Sequence, residues 1–267
     1  MTGPLSQALA NAQSAEKEIK AIPGLPAAAA HVQQEAVAQI DGIVPVVQGC
    51  RTSVGNFAEN NAKKLEAAIT ALGASTPLSS VVASLSQIQS EAKTLDANTS
   101  ATATRVTGTN AKIQALQQPL AQIENSLRVR ASQLSAQAAT KRDEADAAHK
   151  KYLYLLALGP FGLVGLAAAL TAYEILKSDA DKLEASASAL DHQVALLHSM
   201  VNQTALLGTS FVSLTSKVQF VKNGVDILTS DISEVIKDAE SQTGRTAIEV
   251  LARAALSQLK TLQSDAA

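Results

Sequence analysis

Apolar and small residues recur at alternating three- and four-residue steps over most of the chain, with polar residues filling the positions between them. One such run, from Pro77 to Leu134, carries Leu85, Ile88, Ala92, Leu95, Thr99, Thr102, Val106, Thr109, Ile113, Leu116, Leu120, Ile123 and Leu127. A 3–4 repeat keeps one stripe of an α-helix turned toward a partner, so this run is the seam of a long packed helix. Its threonines weaken the middle, and Pro119, which has no backbone N–H to donate, predicts a bend. The run reads as one bent helix rather than a boundary between domains. A second run carries Leu183, Ala187, Leu190, Val194, Leu197 and Val201, and resumes with Phe211, Leu214, Val218, Val221, Val225, Leu228, Ile232 and Val235. Consecutive three-residue steps between Gly208 and Leu214 predict a stammer, and with it a hinge or chain reversal near Gly208.

Turn-forming residues are few and clustered, at residues 23–26, 73–77, 159–162 and 244. They divide the chain into a polar amphipathic helix over residues 1–20, a helix from Ala27 to Leu72 bent near Pro45, two long arms, and a last helix from Ile248 to Leu262. The arms, Pro77 to Leu158 and Leu163 to Glu240, have 82 and 78 residues. At about 1.5 Å per residue they measure roughly 123 and 117 Å, so two arms of nearly equal length fold back at residues 159–162. No strand-like alternation of useful length interrupts them. The predicted fold class is all-α: an elongated bundle of long antiparallel helices with an apolar helical hairpin in mid-chain.

That hairpin is unlike the rest of the sequence. Tyr152 to Tyr173, YLYLLALGPFGLVGLAAALTAY, is 22 residues without a charge, bounded by Lys150 and Lys151 before and by Glu174 and Lys177 after. As one straight helix it would span roughly 33 Å against a hydrocarbon core of about 30 Å, so a single membrane span is allowed by length. Its composition points elsewhere. Gly159-Pro160-Phe161-Gly162 places proline second and glycine fourth in a four-residue turn, which makes the run the tip of a helical hairpin. An apolar hairpin of a soluble protein is ordinarily buried, but a thin polar bundle lacks the bulk to enclose it, which leaves a patch for a neighbour or lipid to cover. We therefore divide the chain into a head, residues 152–173, and a bundle made of residues 1–151 and 174–267. The candidate membrane-inserting residues are Tyr152, Leu153, Tyr154, Leu155, Leu156, Leu158, Gly159, Pro160, Phe161, Gly162, Leu163, Val164, Leu166, Leu170 and Tyr173. The tyrosines stand at the margins, where amphipathic rings favour the membrane interface.

Long Ser/Thr/Gln/Ala-rich helices around one apolar hairpin resemble the α-helical pore-forming toxins of the cytolysin A and haemolysin BL/non-haemolytic enterotoxin type. The resemblance rests on the heptad helices and on YLYLLALGPFGLVGLAAALTAY between them, and covers most of the chain. It implies a five-helix bundle that hides the apolar head in a soluble form. It further implies that the head extends into a target membrane and that the chain oligomerises there, with itself or with homologous partner subunits.

Composition narrows the remaining choices. With 22 Lys+Arg against 24 Asp+Glu the chain as a whole has no electrostatic footprint for nucleic acid or for an anionic membrane. Its single thiol, Cys50, forms no internal disulfide and has no nearby histidine, so it reads as a small packed hydrophobe. His31, His149, His192 and His198 are scattered at spacings that suit no metal, and the glycines of GPFGLVG lack the lysine of a phosphate loop. No catalytic residue, metal or cofactor is expected. Residues 1–20 lack the pattern of a cleavable signal. The expected function is a secreted pore-forming toxin, or one component of a multi-part cytolysin, soluble until its hairpin meets the target-cell membrane. The alternative from the same pattern is a membrane-anchored or soluble coiled-coil scaffold or adaptor.

Overall fold

The computed structural model describes residues 3–73, 77–157, 163–240 and 245–266. Six helices follow one another: α1 (Pro4–Lys20), α2 (Ala27–Gly73), α3 (Leu78–Ala115), α4 (Gln117–Ala157), α5 (Leu163–Glu240) and α6 (Arg245–Ala266). The described residues contain no strand, and the chain is an all-α bundle of long helices. It forms two compact units: residues 1–21, 34–116 and 203–267 make one, and residues 22–33 and 117–202 make the other.

In the first unit α1, most of α2, α3, the second half of α5 and α6 share one apolar core. The α3 seam closes as its spacing requires, with Val81, Leu85, Ile88, Ala92, Leu95, Val106 and Ile113 buried. Thr99 and Thr102 are buried within it because their hydroxyls donate to the carbonyls of Asp96 (3.0 Å) and Asn98 (2.9 Å), which leaves neither hydroxyl unpaired. α2 runs antiparallel to α3, and a polar clamp ties them. Asn61, itself buried, donates through Nδ2 to the Phe57 carbonyl at 3.0 Å and to Glu91 Oε2 at 2.9 Å, while Lys64 Nζ reaches Glu91 Oε1 at 2.8 Å. α2 continues unbroken through Pro45. α6 lies so close over α5 that a Cβ on Gly224 would come within 2.8 Å of Leu262 Cδ2.

In the second unit α4 packs antiparallel to the first half of α5, with the α1–α2 connection and the first residues of α2. Gln33 Nε2 donates to the Ile22 carbonyl at 3.1 Å and so fastens the connection. Gly24 turns it with φ +70°, a left-handed conformation that a Cβ would strain.

Two sequence expectations need correction. The helix read over residues 77–134 is interrupted once, at Leu116, which keeps helical angles (φ −70°, ψ −18°): α3 ends at Ala115, α4 begins at Gln117, and the run crosses there from one unit to the other. Pro119 is the cause, because it cannot donate to the Ala115 carbonyl and fits instead into the first turn of a new helix. The Leu116 N–H closes the last turn of α3 on Ile113 at 3.2 Å. Nor does the chain hinge or reverse at Gly208, which is a buried position inside an unbroken α5. The buried stripe of α5 runs Leu197, Met200, Thr204, Leu207, Phe211 and Leu214, so Leu207 fills the supposed gap and Met200, not Val201, faces inward. The successive three-residue steps fall at Val194–Leu197–Met200.

Val221 sits in the middle of the α5 seam at 1% exposure. Val221→Ala should lower stability by about 1–3 kcal/mol in denaturant melts, and Val221→Asp should prevent folding. A wild-type melt for Val221→Asp would show the helix phase to be wrong. The clamp has its own signature. The hydrogen bond from Lys64 holds the Glu91 carboxyl below its ordinary value, with Asn61 and Gln87 adding to it and burial opposing it. A lowered native pKa gives stability that is present above the unfolded-state value and lost as pH falls through the native one. Glu91→Gln should therefore flatten the loss of melting temperature below about pH 4.3, the ordinary glutamate value. An acid limb identical to wild type would place the clamp outside the stability of the bundle.

Candidate functional site: the apolar hairpin

The seam between α4 and α5 is built from alanine. Ala131, Ala138 and Ala145 recur every seven residues on α4, and Ala180 and Ala187 do so on α5, all of them buried. Small side chains at a repeating seam position let two helix backbones approach closely, and polar side chains tie the edges. Arg142 pairs with Glu184 and lies 3.9 Å from Asp181, while Glu124 meets Arg128 at 2.6 Å and His198 at 3.5 Å.

One heptad beyond Ala145, the α4 position is Tyr152; one heptad before Ala180, the α5 position is Tyr173. At this level the seam changes from alanine to aromatic rings. The His149 imidazole stacks on Tyr173 with centroids 4.8 Å apart and lies 6.3 Å from the Tyr152 ring. Lys177 Nζ stands 5.9 Å from the Tyr173 centroid, within cation–π range. The rings form a collar that closes the alanine seam and opens onto the apolar tip.

Beyond the collar the two helices touch through Leu155 and Gly165. A Cβ on Gly165 would lie 3.0 Å from Leu155 Cδ1, so glycine there makes room for the leucine. Leu155, Leu166, Tyr152 and Tyr173 are half-buried by this pairing. The outer faces have no such cover: Leu153 is 48% exposed, Tyr154 66%, Leu156 53% and Leu170 37%. Leu163 and Val164 lie in the first turn of α5, and only their backbone is described; Leu158, Gly159, Pro160, Phe161 and Gly162 lie outside the described residues. The head is thus not hidden by the described part of the chain, contrary to what the resemblance implied. Two helices shield only their facing stripes, and these two are apolar all round.

The apolar part of α4 has six described residues, 152–157, and that of α5 has eleven, 163–173. At about 1.5 Å per residue the longer arm reaches roughly 16 Å, half of a hydrocarbon core of about 30 Å. Among the described residues no helix is long and apolar enough to cross a membrane.

Sequence reasoning missed His149 and Lys177 as parts of the site, and it stopped at Tyr173 although Ile175 beyond it is 56% exposed. The heptad from Ala131 through Ala138 and Ala145 to Tyr152 was the available signal. Cys50 is buried in the core, where burial pushes its thiol up against an opposing hydrogen bond with Thr102. Among the described residues no group of three His, Cys, Asp or Glu side chains could hold a metal ion. A groove of about 380 Å³ between α5 and α6 is walled by Phe220, Ile227 and Leu262, and its polar lining of Asn223, Gln258, Thr261 and Asp265 offers no nucleophile paired with a base.

No family model matches the chain, and no curated protein matches its sequence. Solved structures do. The soluble AhlC triple head mutant of the tripartite α-pore-forming toxin AHL from Aeromonas hydrophila is 28% identical, with a TM-score of 0.83 over 100% of this chain and 98% of that one. Soluble AhlC without those mutations is 27% identical, with a TM-score of 0.80 over the same shares. The pre-pore AhlB of that toxin shares the fold at 16% identity, with a TM-score of 0.68 over 98% of this chain and 92% of that one. The chain therefore has the all-helical fold of the α-pore-forming toxins and is similar, over its full length, to the AhlC component of one of them.

Proposed function

We propose that the chain is one component of a multi-part pore-forming cytolysin and that its apolar hairpin is the element that enters the target membrane. The observation that carries this reading is the full-length similarity to AhlC, at 28% identity and a TM-score of 0.83. The exposed leucines and Tyr154 of the hairpin support it, because a contiguous exposed apolar surface of this kind marks a site for lipid or protein. Burial of apolar surface yields about 25 cal/mol per Å² removed from water, so a bilayer offers a favourable destination that the chain itself does not.

Residues 152–173 act as the head, and residues 1–151 and 174–267 as the bundle that carries it. The described part of its longer apolar arm reaches roughly 16 Å, about the depth of one leaflet. Completing a pore then requires further copies, homologous partner subunits or an extension of the apolar arms. AhlB of Aeromonas hydrophila is known in soluble, pre-pore and pore forms, which supports assembly of this kind. The chain works outside the producing cell, soluble until it reaches lipid. Its mechanism is conformational: lipid replaces water on the apolar faces, and no bond is made or broken.

Leu156 and Leu170 are exposed on the two arms, so aspartate at both positions costs the folded chain little, while each costs about 2.5–3.5 kcal/mol at a bilayer centre. Leu156→Asp combined with Leu170→Asp should keep the circular dichroism spectrum and melting temperature of the wild type. It should lose co-sedimentation with vesicles, and dye release by the assembled system should fall at least tenfold. Wild-type dye release by the folded double variant would reject the hairpin as the inserting element.

A further inference from the structure

The collar at the base of the hairpin brings together cations that are far apart in sequence. Lys150 and Lys151 follow His149 on α4, and Lys177 follows Tyr173 on α5. The stack of His149 on Tyr173 at 4.8 Å fixes the two helix segments at one level, so Lys150 and Lys151 on α4 and Lys177 on α5 stand at the level of these rings, with Lys177 Nζ 5.9 Å from the Tyr173 centroid. All three are exposed, and none has an ion-pair partner within 4.0 Å among the described residues, although the same two helices pair Arg142 with Glu184 and Lys182 with Asp179 further from the tip. The acidic residues near the collar are Glu174 on α5 and Asp146 on α4, one turn further back, both exposed. Between Lys150 and Lys177 stand three lysines and one glutamate, a local charge of +2, and the apolar segment between them has no charge at all.

Ammonium groups without ion-pair partners at the level of aromatic rings, immediately behind the exposed apolar arms, match the layering of a bilayer: hydrocarbon, then an interface that accepts amphipathic rings, then headgroup phosphate. We infer that Lys150, Lys151 and Lys177, set around the His149, Tyr152 and Tyr173 rings, form a binding collar for the phosphates of anionic lipids, which selects negatively charged membranes and fixes the depth of the hairpin. This rests on the hairpin being the membrane-entering element. The tyrosines set the interface level, and the lysines supply the preference for negative charge. Glu174 and Asp146 weaken that preference without cancelling it, being two carboxylates against three ammonium groups.

The test is co-sedimentation of the full chain with vesicles of phosphatidylcholine alone and of phosphatidylcholine mixed with phosphatidylserine, at low and at physiological salt. The wild type should partition more strongly to the mixed vesicles, and the difference should shrink as salt rises. Lys150→Gln, Lys151→Gln and Lys177→Gln together should lower partition to the mixed vesicles by roughly 100-fold, about fivefold per lysine, and leave partition to phosphatidylcholine unchanged. Lys63→Gln, Lys182→Gln and Lys260→Gln make the same change in net charge at exposed lysines elsewhere and should alter neither partition by more than about twofold. All six positions are exposed, so both triple variants should fold, with unchanged circular dichroism. Equal binding of the wild type to both vesicles, or equal losses in the two triple variants, would overturn the collar while leaving the hairpin as the inserting element. Wild type bound to neither vesicle would overturn both.

Discussion

Two helices packed together cover only the stripe that each turns toward the other, and a pair of helices that is apolar all round must expose the remainder. That constraint governs the functional end of this protein. From Ala131 to Ala145 on α4 and from Ala180 to Ala187 on α5 the buried stripe is alanine and the outer faces carry charges, as at Arg142, Asp181 and Glu184, so this stretch of the pair suits water. Past Tyr152 and Tyr173 the outer faces become Leu153, Tyr154, Leu156 and Leu170 while the number of helices stays at two. Among the described residues nothing covers them. We propose lipid as the missing cover, with the collar at the level where it begins.

The two units spend apolar side chains differently. Five helices meet in the first around Phe211, Leu65, Ile88, Val225 and Leu259, with many branched side chains removed from water. The second relies on Ala131, Ala138, Ala145, Ala169, Ala180 and Ala187, with Leu120, Leu197 and Met200 among its few larger buried residues. A buried alanine removes far less apolar area than a leucine, so the α4–α5 pair is held by close backbone approach, edge ion pairs and the aromatic stack. Segments with little apolar burial open at lower cost than the core to which they are joined. An element that exchanges water for lipid is well placed on such a pair.

The fold was legible in the sequence where packing follows period. α2, α5 and α6 lie within a few residues of the limits that turn residues and heptads predicted, and the mid-chain apolar run stood out by its lack of charge. What escaped were details set by local chemistry. One residue of the α5 stripe was misplaced, Val201 for Met200, because both are apolar and the repeat steps by three at that point. Leaving Leu207 out of the stripe shifts the stammer to Gly208. Pro119 removes the hydrogen bond to the Ala115 carbonyl, so α3 ends there and α4 begins at Gln117, where the spacing alone suggests one continuous helix. The collar was hidden because stacking of His149 on Tyr173 depends on the register between two helices, which neither helix records alone.

The central claim is that lipid is the missing cover of the hairpin, and depth-resolved spin labelling tests it directly. A nitroxide at position 156, introduced as Leu156→Cys with Cys50→Ala, should be reached readily by a water-soluble nickel chelate in buffer. On vesicles containing anionic lipid it should become more accessible to oxygen than to the chelate, while a label at Ile227→Cys on the bundle keeps its aqueous profile. A label at 156 that stays in water, with the one at 227 passing into lipid, would contradict the account.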